Sequence, residues 1–261
     1  MNDEQLQEDL VHANWILANQ GVLDAYGHVS VRSRQDPGTF YQSRSRSAEH
    51  VQRDDIMRFN LDGNVVDGTD DRPPYLERFI HGAIYEARPE VQCVLHAHTE
   101  AVLPFTVTET PFVPVFHNAS ALGGAVAKWD IRTRFGDTDL LVTNLDQGRD
   151  LAGRLGGNAM VLMRGHGYAL AGATVVRTVG TAIDVAVNAR VLLAAHQLGG
   201  PITTLSKGEC LARGDGPPGS SWDPDGPAVR RGWDYWLARA ISRRHGHGPS
   251  PRNDGNPLEL E

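Results

Sequence analysis

The chain has 261 residues, 22% charged and 40% hydrophobic, with a formal net charge of −7; this is globular composition, not that of a disordered chain, and acidity without a basic run argues against a nucleic-acid partner. No apolar stretch is expected to reach the ~20 residues of a membrane span, and the N-terminus lacks a basic flank and apolar core, so a reducing cytoplasm is the expected compartment. Two cysteines (Cys93, Cys210) make neither a disulfide framework nor a zinc cluster, and two lysines (Lys128, Lys207) leave little scope for Schiff-base chemistry, whereas eleven histidines leave much.

Glu4 to Gln20 reads as an amphipathic helix: Leu6, Leu10, Ala13 and Leu17 recur at helical spacing and Gly21 stops it. Gly27 to Arg32 alternates as a strand, and Asp36-Pro37-Gly38 turns the chain toward a second near Thr39 to Gln42. A third strand, Asp54 to Leu61, ends at Asp62-Gly63-Asn64. Pro73 and Pro74 are expected to open a helix running to about Ala87, with Leu76, Phe79, Ile80, Ala83 and Ile84 as one apolar stripe. Val91 to His98 is a strand, followed by short segments at Phe112 to Phe116 and Asp139 to Thr143 and a helix over Asp146 to Leu155. Ala159 to Leu170 reads as strand, glycine turn, strand, and Val175 to Leu198 as the longest helix, stopped by Gly199-Gly200. Arg213 to Gly226, rich in Gly, Pro and Asp, is expected to be a loop; Arg230 to Arg243 a short helix; His245 to Glu261 a frayed tail. Helices flanking a mainly antiparallel sheet, with no GxGxxG after a strand, indicate one α/β sandwich rather than a dinucleotide-binding domain.

Three features carry possible chemistry. In Leu95-His96-Ala97-His98, strand alternation turns both imidazoles to one face, ~7 Å apart along the backbone. They are either metal ligands or two histidines on a solvated face. His166, between Gly165 and Gly167, sits where the backbone can turn tightly and approach another group. Glu77 flanks the apolar stripe ahead of the His-x-His strand, at the edge of the core or on the surface, with His81 one turn on.

In order and spacing, Glu77, His96-x-His98 and the Gly-flanked His166 resemble the class II aldolase/adducin family, and Gly27-His28-Val29-Ser30 is similar to that family's Gly-Asn-x-Ser element. The resemblance runs from about residue 5 to about residue 210. It implies a catalytic body over 1–210; beyond it, composition and periodicity indicate a loop and helix over 211–244, docking on the body or a neighbouring subunit, and a tail over 245–261. The implied fold is a three-layer α/β/α sandwich with a mainly antiparallel central sheet, assembled as a homotetramer with active sites between subunits. By position, His96, His98 and His166 would hold one divalent metal ion per subunit, with Glu77 a further ligand or a proton carrier. Three imidazoles leave a metal open positions for catalysis and accept Zn²⁺, Mn²⁺, Fe²⁺ or Co²⁺.

The family's sugar-phosphate members carry a Thr-Pro-Ser-Gly-like loop and a Ser-Ser-Glu, whose small hydroxyls hold phosphate. Here the corresponding stretches read Gln42-Ser43-Arg44-Ser45-Arg46-Ser47 and Pro74-Tyr75-Leu76-Glu77. Arginine forks suit carboxylates, and Tyr75 and His28 suit a flat ring. This altered pattern, with Pro114-Val115-Phe116-His117, resembles the family's decarboxylase branch, which acts on aromatic acids bearing a ring hydroxyl beside the carboxyl. The resemblance implies substrate binding by Arg44, Arg46 and Tyr75, and protonation of the ring carbon by Glu77, His28 or His117 after carbon dioxide leaves. A Glu77 made less acidic by desolvation would suit that role. The implied substrate is 3,4-dihydroxyphthalate ahead of 3-hydroxy-2-methylpyridine-4,5-dicarboxylate or a phosphorylated sugar. Alternatively, Arg44 and Arg46 are surface charges and His117 a core histidine rather than a contributor to a neighbouring subunit's site. Trp222, Trp233, Tyr235 and Trp236 either dock the last helix or cover an aromatic substrate.

Overall fold

Seven short strands line up as β3-β2-β1-β4-β7-β6-β5 in one sheet. They are β1 (His28–Arg32), β2 (Thr39–Ser43), β3 (Ile56–Asn60), β4 (Cys93–Ala97), β5 (Ala127–Trp129), β6 (Met160–Met163) and β7 (Gly167–Gly172). Every neighbouring pair is antiparallel except β5 and β6. The helices are α1 (Asp3–Asn19), α2 (Arg78–Ala87), α3 (Leu103–Val107), α4 (Arg132–Phe135), α5 (Leu145–Leu155), α6 (Val175–Leu198), α7 (Lys207–Arg213) and α8 (Pro227–Arg244). This computed structural model describes residues 2–66, 68, 70–213, 223 and 226–246.

Alternation sorts the strand side chains into two cores. Val29, Val31, Cys93, Leu95 and Ala97 pack with residues of α1 and α6 and with Trp233 of α8. Val94, Phe40, Phe59, Val161 and Ala169 pack with Ile80 and Ile84 of α2 and Leu151 and Leu155 of α5. The sheet therefore lies between two helical layers, the expected α/β/α sandwich, and both faces are covered. By the same period of two, His28, Ser30 and His96 share the Val94 face, beneath α2. Pairing of β1 with β4 sets His28 directly opposite His96.

Most elements fall where the sequence places them, and the departures have physical causes. Helix α2 begins at Arg78, not at Pro73. Proline lacks an N–H and holds the residue before it extended, so the chain stays irregular until Glu77 takes the N-cap position and its carbonyl accepts the Ile80 N–H at 3.0 Å. Leu76 thereby leaves the apolar stripe and is 62% exposed. The parallel strand β5 and helix α7 have no counterpart in the sequence reading; three residues of β5 are too few to show alternation. Phe112 to Phe116 and Asp139 to Thr143 are irregular. The expectation that no segment has the length and apolarity of a membrane span does not hold for α6, which meets both, yet 56% of its most apolar window is buried against the protein. Helix α8 starts at Pro227 and packs through Trp233 on the core of the α1 and α6 layer. Trp222 and His247 lie outside the described residues.

A candidate metal centre on the α2 side of the sheet

Four donor side chains meet at one end of β4. The ligand atoms of Glu77, His96, His98 and His166 all lie within 4.8 Å of one another. His96 Nε2 is 2.9 Å from His98 Nε2 and 3.3 Å from His166 Nε2. Glu77 Oε2 is 3.4 Å from the Nε2 atoms of both His96 and His166. His96 comes from β4 and His98 from just beyond its end. His166 comes from the β6–β7 turn, where Gly165 has φ +65°. A Cβ on Gly167 would stand 2.3 Å from the Ala97 carbonyl oxygen, so glycine is what lets the His166 turn close on β4.

Each imidazole is oriented by a partner on its far nitrogen. His96 Nδ1 faces the Tyr168 carbonyl at 3.0 Å, His166 Nδ1 the Leu140 carbonyl at 3.0 Å, and His98 Nδ1 the Asp24 carboxylate at 3.1 and 3.2 Å. These acceptors place the proton on each Nδ1 and leave three Nε2 lone pairs directed at one another. Lone pairs at 2.9 and 3.3 Å repel unless a cation lies between them. A tetrahedral ion with bonds of about 2.0–2.1 Å separates its donors by about 3.3 Å, so the residues present fit a divalent metal. Glu77 completes the set: its Oε1 accepts the Val142 N–H at 2.9 Å and its Oε2 is turned to the imidazoles. Leu140 and Val142 sit in the irregular stretch ahead of α5, which Asn144 caps by accepting the Gln147 N–H at 3.0 Å. Leu140 itself holds φ 71°, an unusual backbone conformation beside a functional group.

Electrostatics match this assignment. Burial pushes the His98 imidazole down to about 4, with His96 adding to the effect and Asp24 opposing it. Burial raises the Glu77 carboxyl, while positive charge at the His96 and His166 positions lowers it by more; with the imidazoles neutral, a cation held among them would supply that charge. The desolvation that the sequence leads one to expect is present but opposed, and beside a bound cation Glu77 would be a carboxylate, suited to ligating or accepting a proton.

A cavity of about 670 Å³, the size of a small-molecule site, opens from the cluster. Glu77, His98 and His166 line it together with His28, Tyr75 and Arg46, and Tyr26, Leu76, Leu140 and Leu141 add apolar surface. The His28 and Tyr75 rings lie 4.4 Å apart, and the Tyr75 hydroxyl donates to the Arg46 carbonyl. Arg46 is among the residues that line the cavity. Arg44 is not among the lining residues; its Nε is held by Asp55 at 2.6 Å, and Arg46 shares that carboxylate at 3.2 Å. His117 is exposed at the start of the 3-10 turn His117–Leu122 and does not line the cavity of its own chain, so it is not a core histidine. Asp24, Gln42 and the Leu140 and Val142 backbone are site groups that the sequence reading missed. Only Asp24, three residues ahead of Gly27 in a turn, left a visible signal.

The pattern of the Class II Aldolase and Adducin N-terminal domain matches residues 8–193. Decarboxylase tropJ of Talaromyces stipitatus is 32% identical over 246 residues, covering 85% of this chain and 89% of that protein. The 3,4-dihydroxyphthalate decarboxylase of Arthrobacter keyseri is 26% identical over 208 residues, covering 76% and 82%. Among solved structures, L-fuculose 1-phosphate aldolase from Glaciozyma antarctica PI12 superposes with a TM-score of 0.71 at 22% identity, over 94% of this chain and 92% of that one, which is agreement of fold. Sequence pattern, full-length relatives and the seven-stranded sandwich agree, and the chain belongs to the class II aldolase and adducin family.

Proposed function

We propose that the chain is a divalent-metal-dependent decarboxylase of a hydroxylated aromatic dicarboxylate, with 3,4-dihydroxyphthalate, giving 3,4-dihydroxybenzoate and carbon dioxide, the first choice of substrate. One observation carries the reading: the donor cluster opens into a cavity walled by an arginine, a tyrosine and a buried imidazole. Two relatives named as decarboxylases, aligned over most of the chain, support it.

His96, His98 and His166 would hold the ion, whose chemistry when bound is Lewis-acid polarisation of neighbouring substrate oxygens. The part of the Arg46 guanidinium not engaged by Asp55 binds the carboxylate that is retained, and Tyr75 and the apolar surface flank the ring. Glu77, held as a carboxylate, either ligates the ion or relays a proton. A homotetramer would bring His117 of a neighbouring subunit to the cavity as a further proton source. Zinc, manganese, iron and cobalt all suit the donor set.

The test uses metal-loaded protein with 3,4-dihydroxyphthalate and, separately, with a sugar 1-phosphate. Carbon dioxide and 3,4-dihydroxybenzoate are expected from the first and nothing from the second. Dihydroxyacetone phosphate from the second alone would replace the reading with an aldolase. Glu77→Gln that keeps both its metal and full activity would remove the proton role of Glu77.

A further inference from the structure

Behind the cavity four buried side chains stand in single file. His28 Nδ1 is 2.7 Å from His81 Nε2, His81 Nδ1 is 2.6 Å from Ser30 Oγ, and Ser30 Oγ is 2.8 Å from the Tyr85 hydroxyl. Strand β1 supplies His28 and Ser30 on one face, and α2 supplies His81 and Tyr85 one turn apart, so both regular periods converge on this line. Gln42 Nε2 also reaches His28 Nδ1, at 3.1 Å.

The partners give the line a direction. Among the described residues the Tyr85 hydroxyl has Ser30 Oγ as its acceptor, so Tyr85 donates to Ser30, Ser30 donates to His81 Nδ1, and His81 Nε2–H donates to His28 Nδ1; Gln42, with its amide nitrogen toward Nδ1 and its Oε1 unpartnered, agrees with this order without setting it. The reverse order would leave the buried Tyr85 hydroxyl without its acceptor in Ser30. The Val94 carbonyl also faces His81 and favours a proton on that ring, which does not offset a buried Tyr85 hydroxyl left without an acceptor. His28 Nε2 has no hydrogen-bond partner among the described residues, and the His28 ring lines the cavity.

We propose that His28 is a neutral hydrogen-bond donor to a substrate oxygen, through Nε2–H directed into the cavity, and that His81, backed by Ser30 and Tyr85, is the positioning residue that enforces this tautomer. The proposal deepens the reading of the cavity as a substrate site and rests on it. Its ligand is an oxygen with free lone pairs, phenolic or carboxylate, that gains negative charge in the reaction. A His28 whose Nδ1 accepts carries its one proton on Nε2, so it offers a hydrogen bond without serving as an acid. His28 is thereby distinguished from the proton donor that the family resemblance suggests.

The test is the imidazole tautomer, read by long-range ¹H–¹⁵N correlation on zinc-loaded, ¹⁵N-histidine-labelled protein, with the His28 signals assigned through His28→Gln. Wild-type His28 is expected as the Nε2–H form. In His81→Phe that preference is expected to weaken, and kcat on 3,4-dihydroxyphthalate to fall about tenfold while KM and zinc content stay within about twofold. His81→Gln, whose amide can donate and accept, should restore most of the loss. A wild-type His28 protonated on Nδ1 overturns the proposal, as does a His81→Phe protein with unchanged tautomer and kcat. If His81→Phe does not fold, the wild-type spectrum and His81→Gln decide. Absence of turnover by wild type with His28 as Nε2–H would defeat the substrate assignment and leave the donor geometry standing.

Discussion

Asp24→Asn probes whether the centre depends on groups outside the donor set. The Asp24 oxygens lie 3.1 and 3.2 Å from His98 Nδ1, and Oδ1 also accepts the N–H groups of Tyr26 at 2.9 Å and Gly27 at 2.7 Å. Burial pushes this carboxyl up, but the Gly27 and Tyr26 N–H groups and His98 together hold it below its ordinary value, so it is ionised at neutral pH. Asparagine keeps one oxygen for the turn while removing the charge and one acceptor beside His98. Outer partners of metal-bound histidines are worth roughly 10–100-fold in metal affinity, or about 1.4–2.7 kcal/mol. The Asp24 side chain is 43% exposed, so water screens it and places the expected loss at the low end, about tenfold. Competition for zinc against a chromophoric chelator at pH 7 reads the change, with thermal melting to show that the fold is kept. A folded Asp24→Asn protein with wild-type zinc affinity would refute the argument that the Nδ1 contacts prepare the Nε2 atoms.

Gly167→Ala would set its Cβ 2.3 Å from the Ala97 carbonyl oxygen and 3.0 Å from His98 Cδ2. It should cost about 1–3 kcal/mol by denaturant melting and lower the metal content; a stable, metal-replete variant would contradict the close approach. Arg46→Ala should raise KM about tenfold with little change in kcat, and Arg44→Ala should do less, because Arg46 alone of the two lines the cavity; equal effects would contradict that placement. Burial pushes the Asp184 carboxyl up to about 6 from 3.8, against the pull of Arg177, Asn118 and Arg213. A folded-state value above the unfolded one makes this group favour folding most below pH ~4 and lose that contribution through pH ~6. Asp184→Asn should therefore match wild type at pH 4 and exceed it above pH 6 by at most about 3 kcal/mol in unfolding free energy. A variant less stable at pH 8 would show that its hydrogen bond and arginine contacts outweigh desolvation.

Regular periods made half of the centre legible in the sequence. Strand alternation alone turns His96 toward α2, and the glycines around His166 announce a tight turn. Glu77 is legible by its place ahead of the strand and lies, as that place implies, at the edge of the core facing the site; only the helix start differs, five residues after Pro73. What sets the tautomers was not legible. Asp24 lies 74 residues from His98 along the chain, and the Leu140 carbonyl and Val142 N–H are backbone groups that any residue would supply. Local periodicity carries no information about such long-range contacts. The Arg44 and Arg46 pair shows the same limit: two like residues two apart share Asp55, and only the path of the loop decides which one meets the cavity.

The most direct measurement is elemental analysis of the purified chain, before and after exhaustive chelation, paired with carbon dioxide release from 3,4-dihydroxyphthalate. About one equivalent of a divalent transition metal per chain is expected, lost together with activity on chelation and restored with it, and absent from a folded His96→Ala, His98→Ala or His166→Ala protein. Turnover that survives complete removal of metal would contradict the convergence of three imidazoles on a single working ion.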